Sequence, residues 1–125
     1  MKYTIYERLS GLNEYVNANR HNRYKGASMK KEAESLISAY LTPVVHFKKL
    51  VHIQFDWYEK NKQRDKDNIA SAKKFIFDAL VKKGILDGDG WKHVDGFTDN
   101  FYIDKDNPRI EITITEVGNE SRERY

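Results

Sequence analysis

The chain has 125 residues, of which 39% are apolar and 13% aromatic; this suits one globular domain with its own core and excludes a disordered chain. There is no cysteine, which excludes disulfides, thiolate zinc sites and cysteine nucleophiles and fits a reducing cytoplasm. No apolar run approaches the roughly 20 residues of a membrane span, and the charges within MKYTIYERLSGLNE do not read as a signal peptide. The net charge of +3 is uneven: residues 1–50 hold nine Lys/Arg against four Asp/Glu, and residues 51–125 hold thirteen against fifteen. A basic front half and an acid-bearing back half suit a polyanion partner and a bound cation, although charge alone favours the plainer reading of a mixed, soluble surface.

In chain order, KYTIYERL (residues 2–9) is short, β-branched and aromatic and predicts a strand. Residues 13–28, NEYVNANRHNRYKGAS, are polar and predict a loop with at most a helical turn. A first helix is predicted to start near Ser28, with Glu32 four residues on; Ala33, Leu36, Ile37, Tyr40 and Leu41 recur at helical spacing and Pro43 ends it. Val51, Ile53, Phe55 and Trp57 alternate with His52, Gln54, Asp56 and Tyr58, the clearest strand in the chain. After an exposed KNKQRDKDN loop, a second helix is predicted from about Asn68 to Lys83, with Ile69, Ala72, Phe75, Ile76, Ala79 and Leu80 on one face and Gly84 as its stop. DGDGW makes a turn, residues 91–104 a strand with an irregularity at Gly96, and residues 109–117 the last strand. The order β-α-β-α-β-β predicts an α+β domain over residues 1–117: a small mixed sheet with two helices on one face, then a flexible tail over 118–125.

The tetrapeptide DKDN occurs at residues 65–68 and again at 104–107. The second copy lies between two strand patterns and before Pro108, which is hairpin chemistry. The first lies between a strand and a helix. Asp67 as N-cap explains one acid; Asp65 is left over. If residues 64–67 are extended, Asp65 and Asp67 point to one side and pair their carboxylates on a hard cation such as Mg²⁺. Asp67, Ser71, Lys74 and Asp78 then form one stripe of the second helix, either a solvated face with a Lys74–Asp78 pair or an ammonium held near the carboxylates. DGDG (87–90) does not continue as a calcium loop, because Trp91 and Lys92 occupy the positions that need an oxygen ligand and a glycine.

The run DKDNIASAKKFIFDALVKKGILDGD resembles the signature of the RusA family of Holliday junction endodeoxyribonucleases, especially phage and prophage members: D-x-D-N, a helix with an internal Lys and a D-A-L, then a Gly and a pair of acids. The upstream GLNEYVNANRHNRYKGASMKK, an Asn followed by an aromatic and then a basic stretch, is also similar. The resemblance implies a homodimer that binds four-way DNA junctions and makes paired nicks with Mg²⁺, or Mn²⁺, in recombination, repair or phage DNA processing. Asp65, Asp67 and Asp89 match the family acids and would hold the metal, with Lys74 as the family lysine. The chain departs from the pattern by about one extra helical turn, which leaves Lys73 and Ser71 as alternatives to Lys74, and by Gly88, which leaves Asp87 as an alternative to Asp89.

On this reading Arg20, Arg23, Lys25, Lys30, Lys31 and Arg64 supply phosphate contacts, and Tyr15, His21 and Tyr24 stack on bases or pack internally. A 16-residue helix is about 24 Å long, and six extended residues return at most about 20 Å. Asp89 therefore barely reaches Asp67 of its own chain, and Asp89 of a second copy is the other way to complete the site. A non-catalytic nucleic-acid-binding module, and a nuclease of other branched DNA or RNA, remain the alternative functions.

Overall fold

The computed structural model describes residues 1–118. Strand β1 (Lys2–Ile5) leads into α1 (Leu12–His21) and α2 (Arg23–Tyr40). These are followed by β2 (Leu50–Glu59), α3 (Lys66–Ala70), α4 (Lys73–Lys82), β3 (Val94–Ile103) and β4 (Arg109–Gly118). The chain is α+β, as the sequence predicts. The four strands form one mixed sheet in the order β1-β4-β2-β3, with β4 antiparallel to both neighbours and β3 parallel to β2. Because Gly118 closes β4, only residues 119–125 of the predicted tail lie outside the described residues.

Strand alternation decides which face carries the helices. Tyr3 and Ile5, Val51, Ile53, Phe55 and Trp57, and Ile110, Ile112 and Ile114 are all buried on one side of the sheet. Ala33, Ile37 and Leu41 from the α2 region and Phe75, Ile76, Ala79 and Leu80 of α4 pack into the same core. The helix count differs from expectation at two places. Residues 13–28 are not a loop but the body of α1 and the start of α2. Asn22 separates the two in extended backbone (φ −165, ψ 115), and its Oδ1 accepts from the backbone N–H of Tyr24 at 2.8 Å and of Lys25 at 3.4 Å, a cap that starts a new helix. The predicted helix over 68–83 is broken at Ser71–Ala72, so α3 is one short turn and α4 carries the packing face. At its far end Gly84 stops α4 at φ 75, with Ile85 N–H bonding to Leu80 O and Gly84 N–H to Val81 O, both at 3.0 Å. That double closure needs a left-handed residue, which glycine supplies.

The predicted hairpin at 104–107 is also revised. β3 and β4 are not neighbours; both pair with β2, so residues 104–108 cross its end. Five residues easily span the roughly 10 Å of two strand spacings. The turn chemistry is present all the same: Asp104 Oδ1 accepts from Asn107 N–H at 3.2 Å and Asp104 Oδ2 from Arg109 at 2.9 Å. The irregularity predicted at Gly96 is a register shift, in which Val51 and His52 face Val94 and Gly96.

The face opposite the helices is polar and internally paired. Asp56 and Glu111 oppose each other on neighbouring strands and both are buried. Glu111 bonds Lys2 and accepts from Arg109 Nε at 2.7 Å, while Asp56 takes Gln54 and Asn100 amides. The Lys2 ammonium, opposed by burial and aided by Arg109, holds the Glu111 carboxyl below its usual 4.5. Arg109 does the same for Asp104 relative to 3.8. Both folded values are depressed, so the stability these groups supply is present above about pH 5 and is lost as pH falls through the folded values. Urea midpoints are expected to fall below pH 4.5, and Glu111→Gln to flatten that acid limb, measured by tryptophan fluorescence across pH 3–7. An unchanged slope in the variant would show that Glu111 is not a source of the acid sensitivity.

Candidate functional site

Arg64 fixes the entrance to the first DKDN. Its guanidinium donates to Leu9 O at 2.9 Å and to Glu59 Oε1 at 3.1 and 2.9 Å, and lies 4.0 Å from Glu14 Oε1, with the side chain only 12% exposed. It therefore ties the end of β2 to the β1–α1 connection. This corrects its expected role: the positive charge is spent internally and not offered to a phosphate.

Asp65 follows in extended backbone (φ −70, ψ 149) as the N-terminal flank of α3, and Lys66 already starts the helix. The two acids are thus not alternate residues of an extended segment; Asp65 stands before the helix and Asp67 in its first turn. Both are exposed. Asp67 accepts from the adjacent Asn68 N–H at 2.9 Å, and Asp65 makes no side-chain hydrogen bond as the cap of α3. Among the described residues neither carboxylate has a cation within ion-pair distance. They line one surface depression with Lys62, Lys66, Phe101 and Ile103, its volume about 650 Å³. The two unpaired carboxylates suit a hydrated divalent cation, while the short helix N-terminus and the two lysines on the same rim suit an anion such as a phosphate.

The asparagine of the motif faces inward. Asn68 Oδ1 accepts from Asn13 N–H at 3.1 Å, capping α1 from a distant segment, while Glu14 Oε2 accepts from Gly11 N–H at 2.7 Å. Burial raises the Glu14 carboxyl, but its own and the Gly11 N–H, with Arg64 and Arg8, outweigh this and hold it below 4.5. Gly11 has no room for a side chain, since a Cβ there would lie 2.4 Å from the Asn68 carbonyl oxygen. Gly11→Ala is expected to push Asn68 away, destabilising the fold by about 1–3 kcal/mol. Asn68→Ala loses only the cap, about 1 kcal/mol. Urea unfolding of both variants checks the order, and equal losses would argue against the close approach.

The other expected residues lie elsewhere. Lys74 pairs with Asp78 at 3.2 Å and Asp89 at 3.5 Å; Asp78 first, and Asp89 less strongly, raise its ammonium above 10.5. These residues border a second depression with Lys30, Lys31 and Lys82. The helix break therefore undoes the expected stripe: the Lys74–Asp78 pair forms, but Lys74 turns to Asp89 and not to Asp67. Asp87 Oδ1 accepts from His46 Nε2 at 2.9 Å. Ser71 Oγ bonds Asn68 O. No three His, Asp or Glu side chains gather to hold a metal among the described residues, so Asp65, Asp67 and Asp89 do not converge within one chain.

Arg20, Arg23, Lys25, Lys30 and Lys31 are all exposed on α1 and α2. Lys30 lies 3.8 Å from Asp78; the other four have no carboxylate within ion-pair distance among the described residues. Lys30 and Lys31 line the depression of Asp78 and Asp89 and not the one at Asp65 and Asp67. Tyr24 is exposed at 75%, whereas Tyr15 packs edge-on against Phe75 at 5.8 Å and serves the core.

One network has no counterpart in the sequence reading. Lys73 forms an ion pair with Asp99 of β3 and lies 4.1 Å from the Phe97 ring centroid, and Asp99 also accepts from Trp57 Nε1 at 2.9 Å. The only hint was an acid on the inward register of a strand. Lys73 is thereby occupied and half enclosed, while Lys74, also ion-paired, is the more exposed of the two candidate lysines. Comparison with known proteins finds no family model that matches the chain and no curated protein similar to it.

Proposed function

We propose that this protein is a Mg²⁺-dependent endonuclease that nicks branched DNA, four-way junctions foremost, and acts as a homodimer. The observation that carries the reading is the pair Asp65 and Asp67: two exposed carboxylates without a cationic partner among the described residues, in a depression rimmed by lysines, where most of the other described acids are ion-paired. The donor set fits a Mg²⁺ ion, or Mn²⁺, which takes one or two carboxylates and fills its remaining positions with water and substrate phosphate. Bound there, the ion would lower the pKa of a water and stabilise the leaving alkoxide. Lys62 and Lys66 would hold the flanking phosphates by charge, and Arg20, Arg23, Lys25, Lys30 and Lys31 would supply further, salt-dependent contacts. No described helix is long and apolar enough to cross a membrane.

A second reading, a nucleic-acid-binding module without catalysis, is favoured by one observation: Asp89 is held by Lys74, so only two acids remain together. Incubating labelled four-way junction, flap and duplex DNA with and without Mg²⁺ separates the readings. Metal-dependent nicking of the junction above the duplex supports the nuclease; junction binding without cutting supports the module.

A further inference from the structure

The sheet has two free edges, and they are built differently. β1 is four residues long and carries Lys2, two devices that discourage strand addition. β3 is ten residues long, VDGFTDNFYI, with no Lys, Arg or Pro. Among the described residues it pairs only with β2. Phe97, Tyr102 and Ile103 are 52%, 44% and 51% exposed. Past the bulge at Asp95, the regular segment 96–103 carries none of the lysines or prolines that discourage strand addition and offers a template for another strand.

We propose that β3 pairs antiparallel with β3 of a second copy, about a two-fold axis at Asn100, to make a continuous eight-stranded sheet. The inference stands on the strand and not on the nuclease reading. A two-fold axis perpendicular to the sheet keeps each residue on its own face, so only registers that oppose residues of like parity are allowed. Centring on Asn100 sets Phe97 of each copy against Ile103 of the other and so covers the two most exposed apolar side chains of the strand. Centring on Asp99 would oppose the two Asp99 carboxylates and set Asp95 against Ile103. Centring on Phe101 would set Asp99 against Ile103 and Phe97 against Lys105. Shape and charge therefore select one register.

This pairing changes the acid depression. Ile103 lines it with Asp65 and Asp67, so Phe97 of the second copy becomes part of its wall. The two Ile103 lie six residues apart along the paired edge, about 20 Å, and both acid pairs face the same side of the extended sheet. That spacing is of the order of a duplex diameter, which suits two coordinated nicks if the nuclease reading holds.

The chain's lack of cysteine makes the test clean. Phe97→Cys and Ile103→Cys proteins are purified separately, mixed and oxidised. The mixed disulfide dimer is expected to form, because opposed residues lie within disulfide reach. Neither protein alone is expected to cross-link, because like residues are about 20 Å apart. In sedimentation velocity at micromolar concentration the natural chain is expected at twice the monomer mass and Ile103→Lys at the monomer mass, with the same circular dichroism. A natural chain that sediments as a monomer overturns the proposal. So does a dimer that gives no mixed disulfide, or one that cross-links each single variant equally well. None of these readouts involves DNA cleavage, so loss of the nuclease reading and loss of this interface are told apart.

Discussion

Asp65→Asn and Asp67→Asn are each expected to lower Mg²⁺-supported junction nicking by about 10²- to 10³-fold, the scale on which removing one preorganised charge-stabilising group acts. Binding of the same junction without metal is expected to be retained or slightly tightened, because each substitution removes a negative charge beside a phosphate path. Asp106→Asn is the internal control. It changes the matching position of the second DKDN, which lies in the turn across the end of β2, and is expected to leave nicking unchanged. Asp89→Asn decides what Lys74 does to the acid beside it. A rate near that of the natural chain assigns Asp89 to the Lys74–Asp78 network; a loss equal to that of Asp67→Asn brings Asp89 into the site from a second copy. Mixing Asp67→Asn with Asp89→Asn subunits then restores one intact centre only if the site is shared. The set is measured as initial nicking rates on one labelled junction. Unchanged rates in both Asp65→Asn and Asp67→Asn would remove the acid pair from the chemistry.

The strands were legible because half-buried strands write their environment as alternation. Val51, Ile53, Phe55 and Trp57 face the helices and the residues between them do not, and the partner positions Ile110, Ile112 and Ile114 follow the same rule. Helix α1 and the first turns of α2 were not legible, because residues 13–28 are dominated by polar side chains and the buried positions described there, Ala18 and Gly26, are small. Gly26 instead permits close approach, with Asn19 where a side chain would be. The acid pair was legible as a motif, but its backbone was not, since whether Lys66 is extended or helical is settled by how Ile69 and Asn68 pack and not by DKDN itself. Arg64 was misread for a similar reason. A basic residue beside two acids looks like a phosphate contact until Glu59, Glu14 and Leu9, from three separate segments, converge on it. Sheet order was out of reach of local pattern, which is why a turn with good hairpin residues proved to cross a strand instead.

Trp57→Ala is expected to cost more stability than any other single change discussed, about 4–8 kcal/mol. Trp57 is 1% exposed and stacks on Phe55 at 5.7 Å, and truncating a buried aromatic to alanine costs about 3–5 kcal/mol. Its indole N–H is also the donor to Asp99 Oδ1, and leaving a partly buried carboxylate oxygen without a donor adds about 1–3 kcal/mol. Domains of this size are stable by about 5–15 kcal/mol, so the variant sits near the limit of folding. Trp57→Phe separates the two contributions: it keeps most of the ring volume, drops only the hydrogen bond, and is expected to lose about 1–2 kcal/mol. Lys73→Met keeps the aliphatic packing against Phe97 and Phe55 while leaving Asp99 without its cation, and is expected to fall between the two. Urea unfolding followed by circular dichroism gives all three. Should Lys73→Met match the natural chain while Trp57→Ala falls as expected, the ion pair between α4 and β3 contributes nothing measurable to holding the helices on the sheet; should Trp57→Phe also match it, the indole stabilises by packing alone.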